Sequence, residues 1–347
     1  MTRKMNYRII IGLASILLIL LFLWILGVFD QNNPLDSSPE KVDLNIEFIE
    51  LNESAIVNSN SNQLTSLKQK LPETLPYIFE YCYGVNMQSD SSVLRGLKDF
   101  YSKPHVREAE KYVKTEIGDL KKEKKNISTC FKRLKYHFPN KPYPKKIVLA
   151  NSNFVTNASC YNSIILVGLE RYLGEKNGLI QSLNPDEFPR WIKKGMNKKF
   201  LTRDVLSAWI STEMVATDTS GYLTAKMVRW GKIHLLTEMG LRLNNEDVNP
   251  EIILRWNKAE MKWANQNEKA FLDYLYKNEL LFSQNEETHA FLLQNGPYSS
   301  GFSTESPDRM GQYLGWKMAR KYLFDENISL KELMTIDFDK ILKNYVK

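Results

Sequence analysis

The stretch from Ser306 to Tyr322, SPDRMGQYLGWKMARKY, limits the possible folds more than any other part of the chain. Gly311, Gly315 and Ala319 recur every four residues, so on a helix they line up and leave a groove that another backbone can approach closely. Met310, Leu314 and Met318 flank that groove with apolar bulk. Each interior glycine costs about 1 kcal/mol relative to alanine, so the spacing predicts a central core helix with a tight partner. Ser306 is placed to cap it, Pro307 suits the first helical position, and Asp308 favours the positive end of the helix dipole.

The N-terminus sets where such a core would sit. Ile9 to Phe29 is an uncharged run of 21 residues. At ~1.5 Å per residue a helix of that length spans one bilayer core. Arg3, Lys4 and Arg8 precede it, and Asp30, Asp36 and Glu40 follow it. The positive-inside rule then leaves residues 1–8 in the cytoplasm and exports the rest. No small-x-small cleavage site follows Gly27, so residues 9–29 are expected to form an uncleaved transmembrane signal-anchor. Residues 30–41 are polar, with Pro34 and Pro39, and are expected to form a linker lifting a single domain, 42–347, off the membrane.

Within that domain, Val42, Leu44, Ile46 and Phe48 alternate with polar residues as in a half-buried strand. Lys146 to Ala150 and Ser163 to Gly168 are short β-rich runs, consistent with a small sheet or hairpin. Leu64 to Ile78 keep a helical spacing that Pro72 and Pro76 interrupt. Pro104 opens a long helical pattern that runs to Phe138-Pro139, and the pattern from Thr202 onward is almost wholly helical. The expected fold is mostly α with a small β-sheet, an α+β domain without internal repeats. With 43% hydrophobic and 25% charged residues the chain is globular, not disordered. The net charge of +7 comes from dispersed lysines without a nucleic-acid motif, so no nucleic-acid partner is expected. Lys121, Lys122, Lys124 and Lys125, the one dense run, read as a solvated helix face.

Chemistry is scarce. His105, His137, His234 and His289 are not paired at metal-ligand spacing, and H-E-x-x-H, GxSxG, P-loop and CxxC motifs do not occur. No catalytic residue, metal site or cofactor is therefore expected. Two acids are oddly placed. Glu213 follows Leu206, Trp209 and Ile210 at helical offsets, and Glu268 lies among Ala264, Phe271, Leu272 and Leu275. Buried charges need partners, and Arg309 or Arg320 are the candidates. Trp191, Trp209, Trp230, Trp256, Trp263 and Trp316 read as core packing rather than a ligand cage. Among Cys82, Cys130 and Cys160 at most one pair can form. Spacing does not choose it. Cys82 with Cys130 is the pair to test, because both lie on expected helices and export permits oxidation.

The glycine-lined helix, with Trp230-Gly-Lys-Ile-His234, Trp263-Ala-Asn-Gln-Asn-Glu268, Leu280-Leu-Phe-Ser283 and Gly296-Pro297, resembles the gliding-motility lipoprotein B family (GldB) of Bacteroidetes. The likeness runs from about Val42 to Lys347. More distantly, the order of segments is similar to predicted zinc-dependent proteases of the zincin type. That likeness implies a degenerate zincin-like fold. It sets Thr212-Glu-Met-Val-Ala216 where H-E-x-x-H would stand, with only the glutamate kept, and Glu268 where an acidic third ligand would lie. Two carboxylates without histidine make a poor zinc site. The family's lipid anchor needs a cysteine just after the apolar run, and the first here is Cys82, so a transmembrane helix would replace it. The resemblance implies a membrane-anchored accessory protein of the gliding-motility and linked secretion apparatus, acting by protein binding on the periplasmic side. The alternative is a metallopeptidase-like or peptide-binding relative that has kept a cleft.

Overall fold

Strand β2 (Lys146–Ala150) lies between β1 (Glu47–Leu51) and β4 (Ile164–Gly168), parallel to both, and β3 (Ala158–Tyr161) pairs antiparallel with the far edge of β4. The structure, a computed structural model, describes residues 33–52 and 61–347. The apolar run Ile9–Phe29 and residues 1–8 lie outside the described residues. Among the described residues no helix is long and apolar enough to cross a membrane.

The central strands read KIVLA and IILVG because both faces of the sheet are covered. Leu51, Val148, Ala150 and Leu166 face a smaller core built from α1 (Ser61–Lys70), α2 (Asp90–Ser102) and α3 (Pro104–Tyr112). Ile147, Leu149, Ile165 and Val167 face the main core. That core opens with α4 (Lys121–His137), so the pattern starting at Pro104 makes two helices and not one. Gly118, at φ 64°, ends the wide turn Val113–Ile117 between them. Next comes α5 (Leu201–Trp209), which packs against β3 and widens into a π-turn over Ile210–Met214. The all-helical remainder is α6 (Leu223–Leu241), α7 (Pro250–Leu254), α8 (Lys258–Lys277), α9 (Glu286–Leu293), α10 (Met310–Asp325), α11 (Leu330–Thr335) and α12 (Phe338–Val346).

The glycine line of α10 does what its spacing predicts. A Cβ on Gly315 would lie 1.8 Å from the Met227 carbonyl oxygen, and one on Gly231 would lie 2.0 Å from the Gly315 carbonyl oxygen. The backbones of α6 and α10 therefore touch. Gly311 faces α9, where a Cβ would meet Leu293 Cδ2 at 2.9 Å and the Leu292 carbonyl oxygen at 3.0 Å. Ala319 is fully buried.

The strand expected over Val42–Phe48 begins only at Glu47, and three further expectations fail. The central helix begins at Met310, not Pro307, with Arg309 in the left-handed region at its start. Ser306 does not cap it. Its hydroxyl donates to the Ser303 carbonyl at 2.6 Å and accepts from the Ser299 amide at 3.0 Å, while Ser299 Oγ accepts from the Met310 amide at 3.0 Å.

The second is the linker. Leu35 is fully buried, and its carbonyl accepts from Arg133 Nη2 at 3.2 Å. Asp36 pairs with Arg242 at 2.9 Å, and the Ser37 amide donates to Asn245 Oδ1 at 3.0 Å. This segment is a strap docked on α4 and the end of α6.

The third is the disulfide. Cys82, Cys130 and Cys160 are all free, with Cys82 in the smaller core and Cys130 in the main one. Burial pushes all three thiols up to about 12. At pH 8 a disulfide reagent should leave Cys82 and Cys130 unlabelled in the folded protein and label all three after denaturation. A protected pair in non-reducing mass spectrometry would contradict this.

Candidate functional site: an arginine-lined cleft

Beside β3 the fold gathers charge that it then leaves incompletely used. Arg203 and Asp204 come from α5, and Arg203 shares the apolar stripe of Leu206 and Ile210. Arg255 follows α7 in the left-handed region at φ 56°. Arg309 stands at φ 58° before α10, and Arg171 comes from the turn after β4. Left-handed backbone is uncommon for a residue other than glycine, and two such arginines beside one cavity point to a site where geometry outranks local comfort.

The acids here are saturated. Asp204 is bonded by Arg203 Nη1 at 3.2 Å, Tyr172 Oη at 3.1 Å and Asn157 Nδ2 at 3.4 Å, with Arg255 Nη1 at 3.5 Å. Asp308 accepts from Trp256 Nε1 at 2.9 Å, the Gly296 amide at 3.1 Å and Arg309 Nη2 at 2.9 Å. The cations are not. Arg255 reaches the Gly195 carbonyl at 2.5 Å and Arg171 the Phe154 carbonyl, yet the Nε atoms of Arg171 and Arg309 are buried without an acceptor among the described residues. Burial pushes Arg203 down to about 10 against the pull of Asp204, and burial likewise depresses Arg171.

The space these groups line has two parts. A cavity of about 150 Å³ holds Arg171, Arg255, Arg309 and Lys194 against Asp308 and Glu260, with Trp191 and Trp256 on its wall. A groove of about 330 Å³ runs between residues 155–158, which lead into β3, and Arg203, Asp204, Ser207, Ala208 and Ser211 of the helix. Both share Asn157, Arg171 and Arg255. Planar guanidinium groups with unbonded donors suit a carboxylate or phosphate oxygen pair. Among the described residues no group of three or more His, Cys, Asp or Glu side chains is placed to hold a metal ion.

The four residues expected to form a pocket are not together. Glu213 lines a separate, larger groove of about 750 Å³ and pairs with no arginine among the described residues; Cys160 Sγ lies 3.9 Å from its carboxylate. The π-turn explains this, because residues past Ile210 turn less per residue and Glu213 leaves the apolar stripe. That groove is roomier, but Arg229 is bonded to the Ser211 and Ala216 carbonyls, and Lys232 to the Ile336 carbonyl at 2.7 Å. Those two cations close loops.

Glu268 does lie beside α10, half-buried, but its partners are Tyr313 Oη at 2.5 Å, Tyr345 Oη, and Lys317 at 3.6 Å, not arginine. Arg320 pairs with Glu238 at 3.2 Å and stacks over Phe324. Glu238, which also accepts from Trp316 Nε1 at 2.8 Å, is the buried acid under the central helix. Arg309 alone of the four joins the cleft. Tyr313 keeps a second acceptor, Asn265 Oδ1 at 2.9 Å, so Glu268→Ala should cost about 1 kcal/mol, the loss of net hydrogen bonding without a stranded charge. Thermal melting should show a drop of about 2 °C, and less for Glu268→Gln. A loss near that of a broken buried ion pair would refute it.

Asp204, Arg171 and Arg255 escaped sequence reasoning. The one available signal was Arg203, a charge in an apolar helical stripe.

No curated protein and no solved structure matches the chain. A family model described as gliding motility protein GldB matches residues 30–345, nearly the whole chain, including the strap, the sheet and every segment of the cleft. That extent makes the chain a member of the GldB family of gliding motility proteins.

Proposed function

We propose that this GldB-family chain is a membrane-anchored, non-enzymatic accessory protein of the gliding-motility and linked secretion apparatus, working on the periplasmic side by binding other proteins. The family match over residues 30–345 carries the reading, since membership implies involvement in gliding motility. Ile9–Phe29 supplies the anchor, with Arg3, Lys4 and Arg8 in the cytoplasm. The cleft beside β3 is the binding site.

A degenerate zincin-like ancestry fits this picture. On α5 and the π-turn after it, Arg203, Asp204, Ser207, Ala208 and Ser211 line the groove, the first three at the spacing of H-E-x-x-H, while Thr212–Ala216 does not line it. An arginine and a serine at the histidine positions favour binding over metal-assisted hydrolysis.

Deleting the gene should abolish colony spreading and single-cell gliding, and the wild-type gene should restore both. External protease should digest the domain in spheroplasts. Normal gliding in the deletion strain would end the reading. Zinc-dependent casein cleavage by the full-length protein in detergent would favour the metallopeptidase alternative.

A further inference from the structure

The geometry points to a specific ligand for the cleft: the C-terminal carboxylate of an extended peptide, with the carboxylate in the arginine cavity and the preceding residues in the groove beside β3. The inference rests on the cleft being the binding site of the proposed accessory protein.

Three observations lead to it. The first is charge. The lining of the small cavity sets four basic side chains against two acidic ones, and Asp308 already has three partners. Lys194 and Glu260 pair with each other, so the excess resides on the arginines. Buried polar groups are nearly always bonded, and the Nε atoms of Arg171 and Arg309 call for an acceptor that the described residues do not supply. An anion with two coplanar oxygens fits such guanidinium groups best.

The second is size. A cavity of about 150 Å³ takes a carboxylate and one small side chain, which a chain end supplies together.

The third is the route in. Among the described residues β3 pairs with β4 alone, so its other edge has no strand partner. The groove that continues the cavity runs past residues 155–158 at the head of this strand. An unpaired edge accepts an extended peptide through main-chain hydrogen bonds, and a terminal carboxylate then fixes its register. Ser207 and Ser211, on the opposite wall, add hydroxyls without adding charge.

The test uses the full-length protein in mild detergent and a random hexapeptide pool labelled at the N-terminus with fluorescein, read by fluorescence polarisation. The pool with free C-termini should bind at least tenfold more tightly than the same pool amidated. Arg309→Lys, which keeps the charge but loses the fork, should weaken the free-acid pool several-fold. Arg171→Gln should do the same, with melting temperature as the fold control. Ala208→Trp, which fills the groove and leaves every arginine of the cavity in place, should abolish peptide binding yet leave inorganic phosphate able to protect Arg309 from phenylglyoxal.

Equal binding of acid and amide pools would overturn the inference. So would protection by phosphate with no peptide binding, which would mean a plain anion site. In either case, loss of gliding in the deletion strain would leave the accessory role standing, so the two failures are distinguishable.

Discussion

Gly315→Ala is expected to destabilise the fold by about 3 kcal/mol or more, the upper end for overpacking a core, and Gly231→Ala by a similar amount. Helix propensity argues the other way. Alanine inside a helix is favoured over glycine by about 1 kcal/mol, so without a tight neighbour either change would stabilise. The deciding fact is what the new methyl group meets. At both positions it meets backbone, the Met227 carbonyl for Gly315 and the Gly315 carbonyl for Gly231, and backbone cannot rotate away. The α6 and α10 axes must separate, and buried Met227, Leu314 and Met318 then lose contacts.

Gly311→Ala should cost less, because its methyl would meet the end of the Leu293 side chain at 2.9 Å and the Leu292 carbonyl at 3.0 Å, a far smaller overlap than the 1.8 Å at Gly315. The double variant Gly231→Ala with Gly315→Ala should fall short of the sum, since the first methyl already opens the gap that the second needs. Denaturant titration reads all four. A gain in stability at Gly315 would show that the helices are not in backbone contact.

Asp204→Ala should be nearly as damaging, about 3–5 kcal/mol, by a different route. Asp204 is 5% exposed and ties Arg203, itself 9% exposed, to Arg255, Tyr172 and Asn157. Removing the carboxylate leaves Arg203 with a single carbonyl partner, Ile253 at 2.9 Å, and returns no compensating apolar contact. Asp204→Asn keeps the shape and one acceptor oxygen, so it should cost clearly less. The same titration separates the two variants. Equal small losses for both would mean that the arginines relax to water and that the cluster is less closed than its burial indicates.

Much of the scaffold was legible in the sequence. The lines of glycine and alanine, the KIVLA and IILVG runs and the periodicity after Thr202 report short-range physics, and each appears in the structure where its pattern placed it. The candidate site was largely hidden. Glu213 sits in the right stripe by α-helical arithmetic, but the backbone changes period at Ile210 and rotates it into another groove. Arg171, Arg203, Arg255 and Arg309 arrive from four separate segments, and no local spacing announces such a convergence. Arg255 and Arg309 moreover hold left-handed backbone where glycine would have been the recognisable signal. Ser306 shows the same limit on a smaller scale. Its position suits a cap, but its hydroxyl bonds within its own loop.

The strap gives the domain a mechanical property that a loose spacer would lack. Leu35 is locked into the main core, and Asp36 is bolted to Arg242, so the chain leaves the domain at a fixed point. A pull arriving from the N-terminal side has almost no slack to take up beyond Asn33. It loads α4 and α6 directly, through Arg133 and Arg242, and α6 is the helix whose backbone is pressed against α10. Tension on the strap would thus reach the close-packed α6–α10 pair first.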